Sequence, residues 1–161
     1  MTGRPFGMET PTGDAGIYAQ ESAYLDRYVQ LGEAGDRIIS LSFPSQPDDD
    51  ADHPLLERIE TYLGGARDEF EDVTVGLTVP TDQREVLESV RKLPYGEDTT
   101  VEQVANMTAE LDSEETGDLT TVREALAANP VPLLIPDHRV RDGPSGAPPE
   151  VEQKLRSVEG L

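Results

Sequence analysis

The spacing of apolar residues changes at Pro80, and that change constrains the fold more than any other feature of the chain. Before it, apolar residues alternate or bunch in short runs, with one stretch at helical spacing; after it, they mostly recur every three or four residues. Residues 25–31 and 37–43 are two β-prone runs joined by Gly32-Glu33-Ala34-Gly35-Asp36, a pattern that predicts a hairpin. The start of the chain is polar and rich in Gly, Pro and Thr. Residues 44–54 carry Asp48, Asp49, Asp50 and Asp52 and read as a solvated loop. Leu55, Leu56, Ile59, Tyr62 and Leu63 then recur at helical spacing up to Gly64-Gly65, and Val73, Val75, Leu77 and Val79 alternate as a strand that stops at Pro80.

Beyond Pro80, Val86, Leu87, Val90 and Leu93 line one face of a helix that ends at Pro94-Tyr95-Gly96. Thr100 and Gln103 form a capping-box pattern that opens a short helix through Val101, Val104 and Ala105. An acidic connector, residues 110–118, leads to a second short helix with Leu119, Val122, Ala125 and Leu126 inward, closed by Asn129-Pro130. Two such helices are either a helix-turn-helix or an ordinary helical pair, and the connector is longer than the usual three or four residues. Residues 131–135 read as a buried extended run, and Pro149 opens a last helix with Val151, Leu155 and Val158 inward. The expected class is α+β, with a small strand-rich domain over residues 1–80 and a mostly helical domain over residues 81–161.

Composition removes several kinds of chemistry. With no cysteine there are no disulfides, thiolate metal sites, iron-sulfur clusters or thiol nucleophiles. Asp and Glu number 33 against 13 Lys and Arg, for a net charge of -20, and Lys92 and Lys154 are the only lysines. Such a balance fits a halophile that keeps high internal salt, where a Debye length of about 3 Å at about 1 M screens self-repulsion. The rival reading is an acidic protein that avoids or mimics nucleic acid. The chain has no apolar run of membrane-spanning length and no basic-then-apolar leader, so it is expected to be soluble and cytoplasmic, with no membrane partner. His53 among its aspartates is a candidate metal ligand set against a plain loop residue; no metal or cofactor is expected.

Three stretches together carry a family resemblance. They are Leu93-Pro94-Tyr95-Gly96-Glu97-Asp98-Thr99-Thr100, then Asn129-Pro130-Val131-Pro132-Leu133-Leu134-Ile135-Pro136-Asp137-His138-Arg139-Val140, then Ser145-Gly146 with a final helix ending Glu159-Gly160. In this order they resemble the alkylguanine-DNA alkyltransferases, or methylated-DNA protein-cysteine methyltransferases, densely over residues 82–161 and more weakly before. The resemblance implies a recognition helix in the minor groove and extrusion of the damaged guanine into a pocket.

The family pattern Pro-Cys-His-Arg is here Pro136-Asp137-His138-Arg139, so Asp137 stands where the alkyl-accepting cysteine would be. In the family, the histidine activates that thiolate through a water and is oriented by a glutamate. His138 and Glu159 match those two positions, and Asn129 matches the asparagine that ties the recognition helix to the active-site strand. The implied pocket comprises Pro136, Asp137, Val140, Pro144 and Ser145, with Pro144 in place of a stacking tyrosine and the pocket serine kept as Ser145. The implied DNA face comprises Val101 in place of a phosphate-pushing tyrosine, Thr120 in place of the wedge arginine, Thr121, Arg123 one turn later, and Arg139, with Arg141 nearby. Each residue also has a plainer reading: Arg139 in an internal salt bridge, His138 paired with Asp137, Asn129 as a helix stop, Glu159 as an exposed side chain.

A carboxylate is a hard, well-solvated nucleophile towards an alkyl carbon, so alkyl transfer to Asp137 is disfavoured. Three functions remain. The chain binds alkylated guanine in duplex DNA without transferring the alkyl group and marks it for a repair-protein partner; or it keeps the fold as a protein-interaction module; or it is a hydrolase that uses Asp137 and His138 with a water. The 17 acidic and 8 basic side chains of residues 81–161 make DNA binding the most exposed of these claims.

Overall fold

The computed structural model describes residues 15–49 and 51–161. The polar start and Asp50 of the acidic loop lie outside them. The chain forms three strands, β1 (Ala15–Ser22), β2 (Arg27–Ala34) and β3 (Arg37–Ser42), followed by helices α1 (Pro54–Leu63), α2 (Thr81–Arg91), α3 (Val101–Met107), α4 (Thr116–Ala127) and α5 (Pro149–Glu159). A single turn of 3-10 helix, Asp137–Arg139, lies between α4 and α5. The class is α+β, as expected.

The strands make one antiparallel sheet in the order β1-β2-β3. The expected hairpin is β2–β3, but its turn is shorter than the five residues assigned to it. Gly32 pairs within the strand, a bulge falls between Gly32 and Glu33, and the chain reverses at Gly35-Asp36, where Gly35 has φ 64°. β1 was not anticipated, because Gly16, Ala19, Gln20 and Glu21 have weak strand preference; pairing with β2, Tyr18 opposite Leu31, supplies what propensity does not. Val29 and Leu31 on β2 and Ile38 and Leu41 on β3 are buried, as are Leu55, Leu56, Ile59, Tyr62 and Leu63 on α1, the set read from helical spacing. His53 caps α1: its Nδ1 accepts from Leu55 N at 3.0 Å and its Nε2 lies 3.3 Å from Glu33 Oε2.

Residues 73–79 are not the regular strand expected of them. Ile38 N donates to Thr74 O and Gly76 N to Ile38 O, both at 2.9 Å, giving a single parallel bridge between Val75 and Ile38. Further along the same β3 edge, Leu41 N donates to Pro130 O at 2.8 Å, so the edge is divided between two segments and no ladder extends. One cluster of buried residues runs from Leu25 to Leu155 and crosses Pro80.

In the helical half, α2 buries Val86, Leu87 and Val90 as its spacing predicts. Thr100 Oγ1 accepts from Gln103 N at 3.2 Å, which makes the N-cap half of the predicted capping box. α4 begins at Thr116, before the expected Leu119, and the connector ends at Glu115. Leu119 and Val158, expected inward, are half-buried, while Glu159 takes an inward position at the end of α5.

Residues 131–135 are buried but turned rather than extended. Ile135 N donates to Val131 O at 2.9 Å, with Leu133 at φ 83°. Pro132 and Pro136 have no N–H to give a ladder, and Asn129 staples the turn instead: its Oδ1 accepts from Val131 N and its Nδ2 donates to Ile135 O, each at 3.0 Å.

Candidate active site

The turn after α4 delivers Asp137, His138 and Arg139 into the core, where their exposures are 0 %, 0 % and 3 %. The segment is held from one side by the loop before α3, through Thr99 N to Arg139 O at 2.7 Å and Arg141 N to Thr99 O at 2.9 Å. From the other side Arg156 on α5 donates to His138 O at 2.7 Å. Burying three ionisable side chains in sequence is costly unless each is paired, and the structure pairs them in two groups.

The first group centres on Glu159. Its carboxylate lies 2.7 Å from His138 Nε2 and accepts from Arg139 Nε at 2.8 Å, Arg139 Nη2 at 3.0 Å and Gly96 N at 3.0 Å. Tyr62 OH on α1 donates to the same Oε2. Burial alone would push this carboxyl up, but the hydrogen bonds from His138 and Arg139, with Gly96 behind them, hold it well below the usual carboxylate range. Burial, reinforced by the Glu159 charge, pushes the Tyr62 phenol far above its ordinary value, so Tyr62 is a fixed donor. Arg139 also donates to Leu93 O and lies over the Tyr95 ring, 5.7 Å from its centroid.

The second group centres on Asp137. Oδ1 accepts from Ser145 Oγ at 2.6 Å, and Oδ2 accepts from Gly146 N at 2.8 Å and Asn129 Nδ2 at 2.9 Å. Burial raises the Asp137 carboxyl above the usual range, against the opposing pull of these three donors and of the nearby His138. Gly146 is required by close approach, since a Cβ there would lie 2.3 Å from Asn129 O. His138 Nδ1 is buried and has no hydrogen-bond partner among the described residues.

Asn129, Asp137, His138, Ser145 and Glu159 converge; Glu159 is not exposed, and its side chain is wholly buried. Pro136 and Val140 are buried beside Asp137 in sequence, and Pro144 is exposed. Two residues expected on a DNA face are elsewhere. Val101 is 1 % exposed because α3 turns it into the core, and Arg139 is consumed by Glu159, the internal alternative. Arg123 on α4 is exposed and has no hydrogen-bond or ion-pair partner among the described residues. Thr120 is exposed and Thr121 half-buried, and both hydroxyls donate to their own helix, to Thr116 O and Gly117 O. Arg141 reaches Asp98 at 3.4 Å with its side chain 54 % exposed.

Tyr62 and Gly96 were not anticipated as site residues. Tyr62 was counted as one apolar position of an amphipathic helix, and the available clue was that a buried tyrosine hydroxyl needs a partner. Among the described residues, no three His, Asp or Glu side chains are grouped to hold a metal, and no helix is long and apolar enough to cross a membrane.

Comparison with known proteins places this geometry. The profile described as "6-O-methylguanine DNA methyltransferase, DNA binding domain" matches residues 81–157. A methylated-DNA–protein-cysteine methyltransferase of Methanopyrus kandleri is 35% identical over 109 residues, covering 66% of this chain and 78% of that protein. Another, of Metallosphaera sedula, is 28% identical over 138 residues, covering 81% and 84%. The fold superposes on Mycobacterium tuberculosis OGT in complex with DNA, with TM-score 0.68, 22% identity and coverage of 89% and 92%. It also superposes on the O6-methylguanine-DNA methyltransferase of Pyrococcus kodakaraensis strain KOD1, with TM-score 0.65, 17% identity and coverage of 91% and 100%. A shared fold, a matched domain and a cysteine relative aligned over most of its length lead to one conclusion: this chain belongs to the methylated-DNA–protein-cysteine methyltransferase family.

Proposed function

We propose that this protein binds alkylated guanine in duplex DNA without transferring the alkyl group, and so marks the lesion for another repair protein. The carrying observation is the state of the acceptor position. It is Asp137, in a chain with no cysteine, and both carboxylate oxygens are held by Asn129, Ser145 and Gly146 in a fully buried place. A carboxylate held by three donors is a poorer nucleophile than a free one, which is already weak towards an alkyl carbon. The same engagement argues against the hydrolytic reading, because both oxygens are turned to Asn129, Ser145 and Gly146 inside the core and not to solvent.

DNA would lie across α3 and α4, inside the segment that matches the DNA-binding profile. Thr120 and Arg123 on the exposed face of α4, with Thr121 at its edge and Arg141 nearby, would make the contacts. With Arg139 withdrawn into the core, few cations remain for phosphates. Binding would therefore depend little on counterion release and would tolerate the salt-rich cytoplasm that the charge of -20 suggests.

The test is fluorescence anisotropy at multimolar KCl with a duplex carrying O6-methylguanine and its undamaged twin, with the protein then weighed by mass spectrometry. Tighter binding of the damaged duplex with no gain of a methyl group supports the reading, and equal affinities contradict it. Methyl transfer by Asp137→Cys would indicate that the pocket and the His138–Glu159 pair are still competent. The interaction-module reading gains if neither duplex binds.

A further inference from the structure

The hydrogen bonds around Asp137 leave one place for a proton. Oδ2 accepts from two N–H groups, Gly146 N at 2.8 Å and Asn129 Nδ2 at 2.9 Å, and neither donor can reverse its role. Oδ1 faces Ser145 Oγ at 2.6 Å, and a hydroxyl can either donate or accept. Ser145 Oγ already accepts from Ala147 N at 3.0 Å. With Asp137 ionised, the single hydroxyl proton of Ser145 is drawn inward to Oδ1. With Asp137 protonated, Oδ1–H donates to Ser145 Oγ, and the serine proton is released to point away from Asp137. Asp137 is fully buried, whereas Ser145 is half-buried and adjoins the exposed Pro144, so the serine is the outer end of the pair.

The direction of that proton bears on the chemistry of the lesion. Guanine carries a hydrogen on ring nitrogen N1; alkylation at O6 removes it and turns N1 into an acceptor. An outward Ser145 O–H is complementary to the alkylated base and opposed to the normal one, and an inward O–H reverses the preference. We propose that Asp137 is a positioning residue that sets the direction of the Ser145 hydroxyl, and that Ser145 selects alkylated purine through its acceptor edge only when Asp137 is protonated. The proposal rests on the lesion-binding reading above.

The surroundings of Asp137 favour the protonated form. Burial is the cause that raises its carboxyl, and it outweighs the influences that oppose it. The hydrogen bonds from Ser145, Gly146 and Asn129 oppose it, and after them the nearby His138, whose Nε2 is committed to Glu159; Arg139 is committed to the same carboxylate. Asn129 at the end of α4 and Ser145 and Gly146 before α5 contribute donors without charge.

Asp137→Asn is the informative variant. Its amide carbonyl can accept from Gly146 and Asn129, and its NH2 can donate to Ser145, so it copies the protonated acid at every pH. Ser145→Ala removes the switch. Anisotropy titrations with the O6-methylguanine duplex and its undamaged twin, repeated from acidic to alkaline pH, should show the wild-type preference for the lesion falling about tenfold as pH rises, the worth of one directed hydrogen bond. Asp137→Asn should keep the acid-side preference at all pH values, and Ser145→Ala should lack it throughout. A wild-type preference that is flat with pH, or an undiminished preference in Ser145→Ala, overturns the proposal.

A second readout needs no DNA. The infrared difference between wild type and Asp137→Asn should contain the carbonyl band of a protonated carboxylic acid that titrates and shifts in Ser145→Ala. No such band at any pH overturns the proton placement, whatever the protein binds. A titrating, Ser145-sensitive band in a protein with no lesion preference overturns the lesion-binding reading and the ligand half of this proposal, and upholds the hydroxyl switch.

Discussion

Glu159→Ala should cost about 3–5 kcal/mol of folding stability, the range for removing one partner of a buried ion pair. The substitution takes one carboxylate away from His138, Arg139, Gly96 and Tyr62 at once. What remains is an Arg139 guanidinium whose side chain is 4 % exposed, with only Leu93 O and the Tyr95 ring for company. Against a total stability of about 5–15 kcal/mol, the loss is a large share. Urea unfolding followed by far-ultraviolet circular dichroism, in low salt and in about 1 M KCl, separates this pair from surface charges, because a Debye length of about 3 Å screens only what solvent reaches. The control is Asp98→Ala. Asp98 pairs with Arg141 at 3.4 Å and with Arg156 at 3.3 Å, and such partly exposed pairs contribute about 0–1 kcal/mol each. The Glu159→Ala loss should survive added salt while the control shrinks. Glu159→Leu combined with Arg139→Met should cost less than Glu159→Ala alone, since no orphan charge is left. A loss below about 1 kcal/mol, or one that salt abolishes, would refute the reasoning.

Other consequences are open to simpler measurements. Burial raises the folded-state pKa of Asp137, so its favourable contribution is present below the unfolded value of about 3.9 and is lost as pH rises through the folded value. Asp137→Asn does not titrate, so its stability relative to wild type should improve as pH is stepped upward; a constant difference would contradict the shift. Gly146→Ala forces a Cβ to within 2.3 Å of Asn129 O and displaces the N–H held by Asp137, for a loss of about 1–3 kcal/mol in urea unfolding; a neutral result would mean the turn is free to relax. Tyr62→Phe removes one donor to an ionised carboxylate and should lower stability by about 1.5–3 kcal/mol, read by thermal unfolding, with no change in secondary structure.

Periodicity revealed the parts of the molecule where one face is apolar and the other is not. Leu55, Leu56, Ile59, Tyr62 and Leu63 form the buried face of α1, and Val86, Leu87 and Val90 that of α2, because a helix exposes its spacing in the sequence. Segments whose shape depends on distant partners were opaque. β1 has little strand preference of its own and exists by pairing with β2, while residues 73–79 alternate like a strand yet find only Ile38 free to bond. Residues 131–135 were legible as buried but not as turned, since the turn is made by Asn129 reaching across two prolines. The site follows the same division. Asp137, His138, Asn129, Ser145 and Glu159 were marked by the family resemblance of the segments that carry them. The contribution of Tyr62, 97 residues from Glu159, was hidden inside a helix pattern that treats a tyrosine as one more apolar position. Arg139 could be read either towards DNA or inward; its pairing with Glu159 across 20 residues settles it inward.

The central claim is that this protein keeps the scaffold of an alkyltransferase and recognises the lesion without taking the alkyl group. Its most direct test is the paired titration of O6-methylguanine and undamaged duplexes at multimolar KCl, followed by the intact mass of the protein. The account predicts tighter binding of the damaged duplex and an unchanged mass. Equal affinity for the two duplexes, or a protein heavier by one methyl group, would contradict it.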